Sequence, residues 1–554
     1  MTLAGYYPEG ALSVEETTDG DGRCSLTFTD YRGRLILTRS FLKTLKPGAT
    51  IDSVTSGEWT DTYNVYDDAG NLLCVVTPSA APMMAAKGST WSDTAASPLS
   101  QCFRYSYDGA MRLRSKKSPD AAAVKYWYDA TGALVLTQDG SQRSRGVCSF
   151  ALADSLGRPA VSGECTYSDA LAAQVERCHV VATRGTASGN LNGYAPNITL
   201  SSADVFSSSY YDDYSYLSLG CFSRLSKKLA THSPPSHKTA PTGLPTGSWS
   251  KVLSSSALTV VAGTDSALVA RNGYLESTSA ALYYDSFDRL AATATVDHLG
   301  GLSIGTSAYN TAGMPTATQF SRWPLTADED TETHSYSYTY DALGRVSTVK
   351  LTRDGTVYIV QKNVYDAIGQ LTRMSYGNGC GVSYSYKPSG AVAYIEAANA
   401  AGGGTFYQTL SYATGRTPSY SGNIGSIDWC GNDGIGRRYG FTYDGLGRLT
   451  SAAYSETLKR PAASLASGTV SYSTAYTYGP DSRPLTVTRQ GVRSFIKPLN
   501  STTVPIFGEV DNLTFTYSGS RLIKVSDTVG SLIYAGASDF DDGADTATEY
   551  MQIS

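Results

Sequence analysis

The stretch that decides the fold is Tyr338-Thr339-Tyr340-Asp341-Ala342-Leu343-Gly344-Arg345, and variants of it return along the chain. Its general form is Tyr-x-Tyr-Asp-x-x-Gly-Arg, and the clearest other copies contain Asp67, Asp129, Asp366 and Asp444. A phrase that recurs every few tens of residues indicates a repeat architecture, so the repeat has to be identified before any single element. We call each copy a Tyr-Asp repeat.

Each Tyr-Asp repeat is predicted to be a β-hairpin. Side chains alternate between the two faces of a strand, so Tyr-x-Tyr places two aromatic rings on one face. Asp at the first position and Gly at the fourth is the preference of a type I turn, and a Gly with positive φ allows a bulge before the return strand. The residues predicted to build these repeat turns are Tyr66, Asp67, Gly70, Tyr107, Asp108, Tyr128, Asp129, Gly132, Tyr340, Asp341, Gly344, Arg345, Tyr365, Asp366, Gly369, Tyr443, Asp444, Gly447 and Arg448.

The composition agrees with a β-rich chain. There are 40 Tyr and 54 Gly residues, and charged residues make up only 17% of the sequence. Tyr is favoured on pleated surfaces that are partly buried and partly wet. Helical patterns are nearly absent, and the best candidate is Asp169–Arg177. We therefore predict an all-β fold in which antiparallel hairpins stack into an extended, curved sheet.

The distribution of the repeats predicts four parts. Residues 1–170 form an N-terminal β region, and residues 171–280 are a Ser/Thr/Ala-rich insertion or a set of loop-rich edge strands. Residues 281–535 hold the renewed Tyr-Asp repeats, and residues 536–554 form an acidic, truncated tail. A further Tyr-Asp turn is expected at Tyr550, where the sequence stops instead, so we expect a fragment of a longer protein.

Charge and cysteine usage argue against several classes of protein. The net charge is -5 and no basic stripe is present, which disfavours nucleic-acid binding. The nine Cys are odd in number and scattered, a pattern that fits neither a zinc site nor a disulfide framework. No apolar stretch reaches the ~18 residues of a membrane-spanning helix, and the N-terminus lacks the features of a signal peptide.

No catalytic, cofactor-binding or metal-binding residues are predicted. Cys178-His179 lacks the spacing of a four-ligand site, and adjacent Asp212 and Asp213 would point to opposite faces of a strand. Sequence motifs of metalloproteases, serine hydrolases and phosphate-binding loops are absent. An acidic loop could hold a hard cation, but its order is not that of an EF-hand, so a solvated loop is favoured; its carboxylates are Asp539, Asp541, Asp542 and Asp545.

The sequence resembles the RHS/YD-repeat family, for which the Tyr-Asp phrase is the namesake. Residues 59–72 resemble the N-terminal domain of Bacteroidetes-type RHS proteins, and residues 138–143 and 156–159 resemble its continuation. Residues 422–429, followed by the repeat at 443–450, are also similar to these proteins. The resemblance covers most of the chain and is weakest in its Ser/Thr-rich middle.

The resemblance implies a structural function as part of the wall of a protein shell. In this family the repeats wind into a hollow shell that commonly encloses a C-terminal toxin or effector, and an RHS core region closes the shell and cleaves itself. Neither a core motif nor a variable C-terminal domain is found in this sequence, so no self-cleaving residue is carried over. The implied partners are the remaining RHS core and the effector, and the implied location is secreted or at the cell surface. We expect a non-catalytic structural segment with no cofactor.

Two alternatives remain open at the level of sequence. A cell-surface adhesin or carbohydrate-binding module predicts exposed Tyr and Trp clusters that contact glycans, with the best candidate between Tyr210 and Tyr216. A non-functional remnant of a larger RHS gene predicts in-frame repeats just past Ser554.

Overall fold

The computed structural model of the chain describes residues 7–45, 58–87, 98–185, 191–252, 277–298, 300–323, 331–415, 417–457, 471–497, 503–529, 532 and 550–552. Over these residues the chain is almost entirely antiparallel β-structure, with a few short helices. The predicted all-β fold of antiparallel hairpins is therefore confirmed.

The described residues contain 34 strands. In chain order they are β1 (Leu12–Thr18), β2 (Arg23–Asp30), β3 (Leu35–Thr44), β4 (Trp59–Tyr66), β5 (Leu72–Val76), β6 (Phe103–Tyr107), β7 (Leu113–Lys117), β8 (Val124–Tyr128), β9 (Leu134–Gln138), β10 (Val147–Ala153), β11 (Pro159–Thr166), β12 (Ala182–Arg184), β13 (Tyr194–Pro196), β14 (Asp204–Tyr211), β15 (Pro245–Lys251), β16 (Ser277–Tyr284), β17 (Leu290–Val296), β18 (Leu302–Tyr309), β19 (Pro315–Trp323), β20 (Glu332–Tyr340), β21 (Val346–Arg353), β22 (Thr356–Tyr365), β23 (Leu371–Tyr376), β24 (Gly381–Tyr386), β25 (Val392–Ala398), β26 (Gly404–Ser411), β27 (Ser426–Gly431), β28 (Gly436–Tyr443), β29 (Leu449–Thr457), β30 (Thr474–Tyr478), β31 (Pro484–Ile496), β32 (Val504–Ser518), β33 (Arg521–Asp527) and β34 (Tyr550–Gln552).

The chain divides into two compact units. The first unit comprises residues 1–122, 365–373 and 379–554, and the second comprises residues 123–364 and 374–378. The four-part division drawn from the sequence stays a prediction.

The first unit contains two meanders, in which each strand pairs antiparallel with the next along the chain. Strands β1 to β7 form what we call the N-terminal meander. Strands β24 to β34 form the C-terminal meander. Such local pairing is what a chain of hairpins produces, because each strand meets its partner after a short turn.

The second unit contains one meander that runs from β8 through β11, continues with β14 and ends at β22. Strands β12 and β13 pair only with each other, in a separate two-stranded sheet. The Ser/Thr/Ala-rich middle of the sequence thus supplies two strands of the meander, β14 and β15, and also a small sheet of its own.

Four short α-helices lie among the described residues: α1 (Ala80–Lys87), α2 (Gly140–Arg145), α3 (Asp169–Arg177) and α4 (Ser223–Thr231). The helix predicted at Asp169–Arg177 is confirmed: the Leu171 N–H donates to Ser168 Oγ at 3.1 Å, which caps its first turn. Helix α2 was not predicted, although Asp139 and Gln142 form a reciprocal capping box at its start. None of these helices has the length and apolar character needed to cross a membrane. Single 3₁₀ turns lie at Pro98–Gln101, Ser215–Ser218 and Gly220–Phe222.

The core of the second unit corrects one expectation. Tyr210 and Tyr216 were offered as exposed glycan-binding rings, yet they are 0% and 1% exposed. Their rings stack with centroids 4.6 Å apart, and Phe222 meets both edge-on. The hydroxyls donate to the backbone carbonyls of Asn192 and Thr246, each at 2.6 Å. The expectation was wrong because a Tyr with a carbonyl partner for its hydroxyl can be buried whole.

Replacing Tyr216 by Ala is expected to lower the free energy of unfolding of the second unit by about 3–5 kcal/mol, because the change leaves a cavity in a packed aromatic core. Tyr31→Ala, at a side chain of the first unit that is 84% exposed, is the exposed-tyrosine control and should change stability by no more than about 0.5 kcal/mol. Urea unfolding followed by circular dichroism measures both, and equal stabilities would contradict the burial.

Candidate functional site: the joints between hairpins

The turn of a Tyr-Asp repeat is closed by two backbone hydrogen bonds. In the copy at Asp341, the Gly344 N–H donates to the Asp341 carbonyl at 3.0 Å, and the Asp341 N–H donates to the Arg345 carbonyl at 2.9 Å. The backbone angle φ of Gly344 is 78°, and the strand register shifts between Thr339 and Tyr340. The structure thus has a tight turn with a left-handed fourth residue and an adjacent bulge, a combination that Gly permits without strain.

The Asp carboxylate holds both arms of the turn. Asp341 Oδ1 accepts the N–H groups of Leu343 and Arg345, each at 2.9 Å, and Oδ2 accepts Arg345 Nε at 2.6 Å. The Arg345 N–H is the main cause that holds the pKa of Asp341 below its usual value. The same carboxylate-to-Arg contact, four residues on, joins Asp30 to Arg34, Asp108 to Arg112, Asp154 to Arg158, Asp285 to Arg289 and Asp444 to Arg448.

The Tyr immediately before a hairpin turn, which is the residue before the Asp in the Tyr-Asp repeats, reaches back to an earlier hairpin. Tyr478 Oη donates to the Leu449 carbonyl at 2.8 Å, and Leu449 is the first residue of the return strand of the preceding repeat. Phe has no hydroxyl for this bond, which accounts for Tyr at the position. The same bond runs from Tyr66 to Leu35, Tyr107 to Leu72, Tyr211 to Pro159, Tyr284 to Pro245, Tyr309 to Leu290, Tyr340 to Pro315, Tyr386 to Leu371, Tyr412 to Val392, Tyr443 to Ile424 and Tyr517 to Pro484.

The Arg of one repeat reaches forward to the next turn. Arg448 binds Asp444 in its own turn, and its Nη1 donates to the Gly479 carbonyl at 2.8 Å. Its guanidinium also lies 4.8 Å from the ring centroid of Tyr478. We call this set of Asp, Arg and following Tyr a joint, because it ties two successive hairpins. Arg34 makes the same contacts with Asp67 and Tyr66, and Arg289 makes them with Asn310 and Tyr309.

Some repeats lack the Arg, and their turns use other partners. Asp67 Oδ2 accepts Asn71 Nδ2 at 2.9 Å. Asp129 has Ala133 in place of Arg, and its Oδ2 accepts the Val180 N–H at 3.0 Å instead. The carboxylate is therefore bonded in every one of these turns, although the cation is not always present.

The structure places the predicted turn residues at the end of a strand and in the turn that follows it. Those after β4, β6, β22 and β28 lie in the first unit, and those after β8 and β20 lie in the second. Sequence reasoning assigned Tyr and Arg to the hairpin of their own repeat, and it missed that both connect neighbouring repeats. The signal that could have found this was the constant presence of Tyr, never Phe, immediately before the Asp of these copies.

A second set of contacts joins the N-terminal and C-terminal meanders of the first unit, and we call it the seam. Arg23 Nη1 donates to Ser421 Oγ at 2.6 Å, and its Nε donates to the Asp444 carbonyl at 3.3 Å. The Gly445 N–H donates to the Leu42 carbonyl at 3.1 Å. These partners are about 400 residues apart in sequence, a separation that no local pattern reveals.

The seam continues along several strands. Thr60 Oγ1 donates to the Pro480 carbonyl at 3.3 Å, and the Ser520 N–H donates to Asp120 Oδ2 at 2.5 Å. In each contact a turn of the C-terminal meander meets strand ends of the N-terminal meander. These strand ends lie opposite the Tyr-Asp turns of the N-terminal meander. The strand ends of one meander therefore face the turns of the other, and we call this arrangement edge to edge.

The partly buried carboxylate of Asp21 organises one end of the seam. Its oxygens accept the Ser419 hydroxyl at 2.7 Å, the Ser421 hydroxyl at 2.6 Å and the Tyr420 N–H at 2.5 Å. Burial alone raises the pKa of a carboxyl group, but these hydrogen bonds to Ser421, Tyr420 and Ser419 outweigh it and lower the pKa of Asp21 to about 2.

The described residues contain no group of three or more side chains that could hold a metal ion. The acidic loop considered from the sequence, with Asp539, Asp541, Asp542 and Asp545, lies outside the described residues. Asp212 binds Arg158 through both oxygens, and Asp213 pairs with Arg184. These two carboxylates thus serve as ion-pair partners of structural arginines.

Comparisons with known proteins point to a fold. No protein-family model and no curated protein matches the chain. The crystal structure of TcdB2-TccC3-TEV is similar over 91% of this chain, with 12% sequence identity and a TM-score of 0.53. That of TcdB2-TccC3-Cdc42 matches over 91% of this chain, with 13% identity and a TM-score of 0.48. The chain spans 23% and 19% of the length of these two chains. The first likeness shows a shared fold.

Replacing Tyr478 by Phe is expected to destabilise the first unit by about 1 kcal/mol, because the Leu449 carbonyl loses its hydroxyl donor while ring packing is kept. Tyr358→Phe is the control, since its side chain is 52% exposed. Chemical denaturation compares the two variants. Equal effects would show that the hydroxyl of the joint contributes nothing.

Replacing Gly445 by Ala is expected to open the seam, because a Cβ there would overlap the backbone carbonyl oxygens of Phe41 and Lys43. We expect a loss of about 2 kcal/mol or more and faster proteolysis near residues 41–45. Gly109→Ala is the matched control, since Gly109 occupies the same turn position and has nothing within 4 Å of its added Cβ. Similar proteolysis of both variants would argue against the seam.

The pKa of Asp21 predicts an acid-sensitive seam. Its folded-state pKa of about 2 lies below the ordinary 3.8, so its contribution is fully present above pH 3.8 and is lost as the pH falls towards 2. The stability difference between wild type and Asp21→Asn should be about 2 kcal/mol near neutral pH and shrink across this acid window. Urea unfolding across the pH range measures it, and a pH-independent difference would contradict the assignment.

Proposed function

We propose that the chain is a non-catalytic wall segment of an RHS/YD-repeat shell, one that encloses and helps deliver a C-terminal toxin or effector. The observation that carries the proposal is the seam. Within the first unit, the meander from the start of the chain lies edge to edge with the meander from its end. Edge-to-edge contact between distant segments is what successive windings of a wall require.

The chemistry of the repeats favours a wall over an enzyme. Asp and Arg of the joints are engaged with one another and with backbone groups, as in Asp444, Arg448 and Gly479. A catalytic acid, base or nucleophile must lie within hydrogen-bond distance of a substrate. These side chains are instead hydrogen-bonded to groups of their own and neighbouring hairpins. We propose on this basis that the segment has no enzymatic activity of its own.

The structural likeness supports the same proposal. The chain shares a fold with TcdB2-TccC3-TEV, of which it spans 23% of the length. We propose that this chain likewise acts together with further protein: the rest of the RHS shell and an enclosed effector. The resemblance to Bacteroidetes-type RHS proteins, the status of the chain as part of a larger protein, and a secreted or cell-surface location belong to this proposal.

The hairpin turns of the second unit offer an edge for that further protein. Leu156, Phe287 and Leu343 stand two residues after the Asp of their turns and are 72%, 75% and 73% exposed. Leu446 occupies the same position in the turn of Asp444, which the seam contacts, and it is only partly exposed. The exposed turns are therefore suited to receive another β-sheet edge, as the turn of Asp444 does.

The glycan-binding alternative has less support. Its proposed site lies in the core, where Tyr210 and Tyr216 are buried. The sequence of the whole gene distinguishes the remnant alternative from the proposal. A functional shell requires an effector encoded in the same reading frame or in a neighbouring one, whereas a remnant does not.

The test uses the longest natural reading frame that contains this chain, produced and purified whole. We expect protease to spare the polypeptide that follows residue 554, and to digest it when the same polypeptide is produced alone. Gly445→Ala should expose it by opening the seam, whereas Gly109→Ala should leave it protected. Equal digestion of the enclosed and the separate polypeptide, or a reading frame that encodes none, would contradict encapsulation.

A further inference from the structure

We propose that Cys148 and Cys165 are a disulfide-forming pair, which closes when the chain folds in an oxidising compartment. Their Sγ atoms lie 3.7 Å apart. Cys148 belongs to β10 and Cys165 to β11, and the two residues are directly opposite one another in the antiparallel pair. Both side chains are buried, at 0% and 1% exposure. The inference concerns the second unit alone and does not depend on the proposed function.

The backbone already meets the requirements of a cross-strand bridge. Directly opposite residues of an antiparallel pair have Cα atoms about 4.5–5.5 Å apart, and disulfides span Cα separations of about 4.4–6.8 Å. The two thiols therefore need only side-chain rotation to approach bonding distance. Side chains at opposite positions share one face of the sheet, so both sulfurs are directed into the same core.

A second pair of buried thiols provides an internal comparison. Cys74 and Cys102 are 1% and 0% exposed and lie in one cluster of packed side chains, but Cys74 is paired with Arg104, two residues beyond Cys102. The two cysteines are thus diagonal neighbours, for which Cα separations are about 7–8 Å. That distance exceeds the range of a disulfide without backbone movement. Register, and not contact alone, singles out Cys148 and Cys165.

The chemistry is thiol–disulfide exchange with a disulfide oxidant, either a small molecule such as oxidised glutathione or a protein of the oxidoreductase class. One thiolate attacks the oxidant and forms a mixed disulfide, and the second thiolate then displaces the oxidant's remaining thiol. The protein loses two electrons and two protons, and the oxidant gains them as two thiols. Because both side chains are buried in the folded chain, the exchange takes place during folding.

The odd number of cysteines conceals this pair in the sequence. Nine Cys without a regular spacing fit no framework of small disulfide-rich domains. A bridge between adjacent strands needs only one matched register, and it closes the loop between residues 148 and 165, which constrains the unfolded chain. Cys24, also buried, serves as an unpaired reference thiol.

The experiment produces the whole chain in ordinary bacterial cytoplasm and in cells whose cytoplasm is made oxidising. Each preparation is denatured, alkylated with iodoacetamide without reduction and digested with trypsin. Cys148 and Cys165 fall in one tryptic peptide, residues 146–177, since trypsin does not cut between Arg158 and Pro159. Further cleavage at Asp154 separates the two cysteines, so a disulfide leaves its two fragments linked.

From oxidising cells we expect residues 146–177 to be unalkylated and two hydrogens lighter than the dithiol, with Cys24 alkylated as in the reduced preparation. Cys148→Ser should restore alkylation or leave a mixed disulfide at Cys165, which shows that both residues are required. The oxidised chain should also unfold at a higher temperature than the reduced one. In the Cys148→Ser variant this difference in unfolding temperature should disappear. Alkylation of both Cys148 and Cys165 in the oxidised preparation, or a Cys74–Cys102 bridge formed while they stay free, would overturn the proposal.

Discussion

The interaction on which this structure depends is the Arg of one repeat, held between its own Asp and the Tyr of the next hairpin. Each single contact contributes little by itself, since a hydrogen bond to a charged group contributes about 1.5–3 kcal/mol. Arg448 combines a carboxylate, a carbonyl and an aromatic ring in one position. Because the joint recurs at several of the hairpins, the small terms add along the sheet, as nearest-neighbour terms do in other repeat proteins.

The joint also explains why Tyr, Asp, Gly and Arg occur together in the repeat. Asp341 fixes the turn, Gly344 supplies its left-handed residue, and Arg345 neutralises the carboxylate. Where Arg is replaced, as by Ala133, another backbone N–H takes its place on the carboxylate. The constraint is therefore a satisfied carboxylate at every turn, because an unpaired charge on a partly buried edge is costly.

The hairpins could be predicted from sequence because their determinants lie within eight residues, as in the stretch from Tyr338 to Arg345. The α3 helix could be predicted as well, from its apolar spacing. The seam could not, since Arg23 and Asp444 meet only after the whole chain has folded. Tyr210 was placed on the surface for a related reason: a Tyr-rich composition does not reveal which rings close over a core.

The central claim is that the N-terminal and C-terminal meanders of the first unit meet along the seam. Hydrogen–deuterium exchange resolved to single residues tests it at Gly445, whose N–H is bound by the Leu42 carbonyl across the seam. The amide of Gly109, at the same turn position, has no such partner in the described part of the chain. The account predicts slow exchange at Gly445 and fast exchange at Gly109. Equally fast exchange at both would mean that the meanders do not meet.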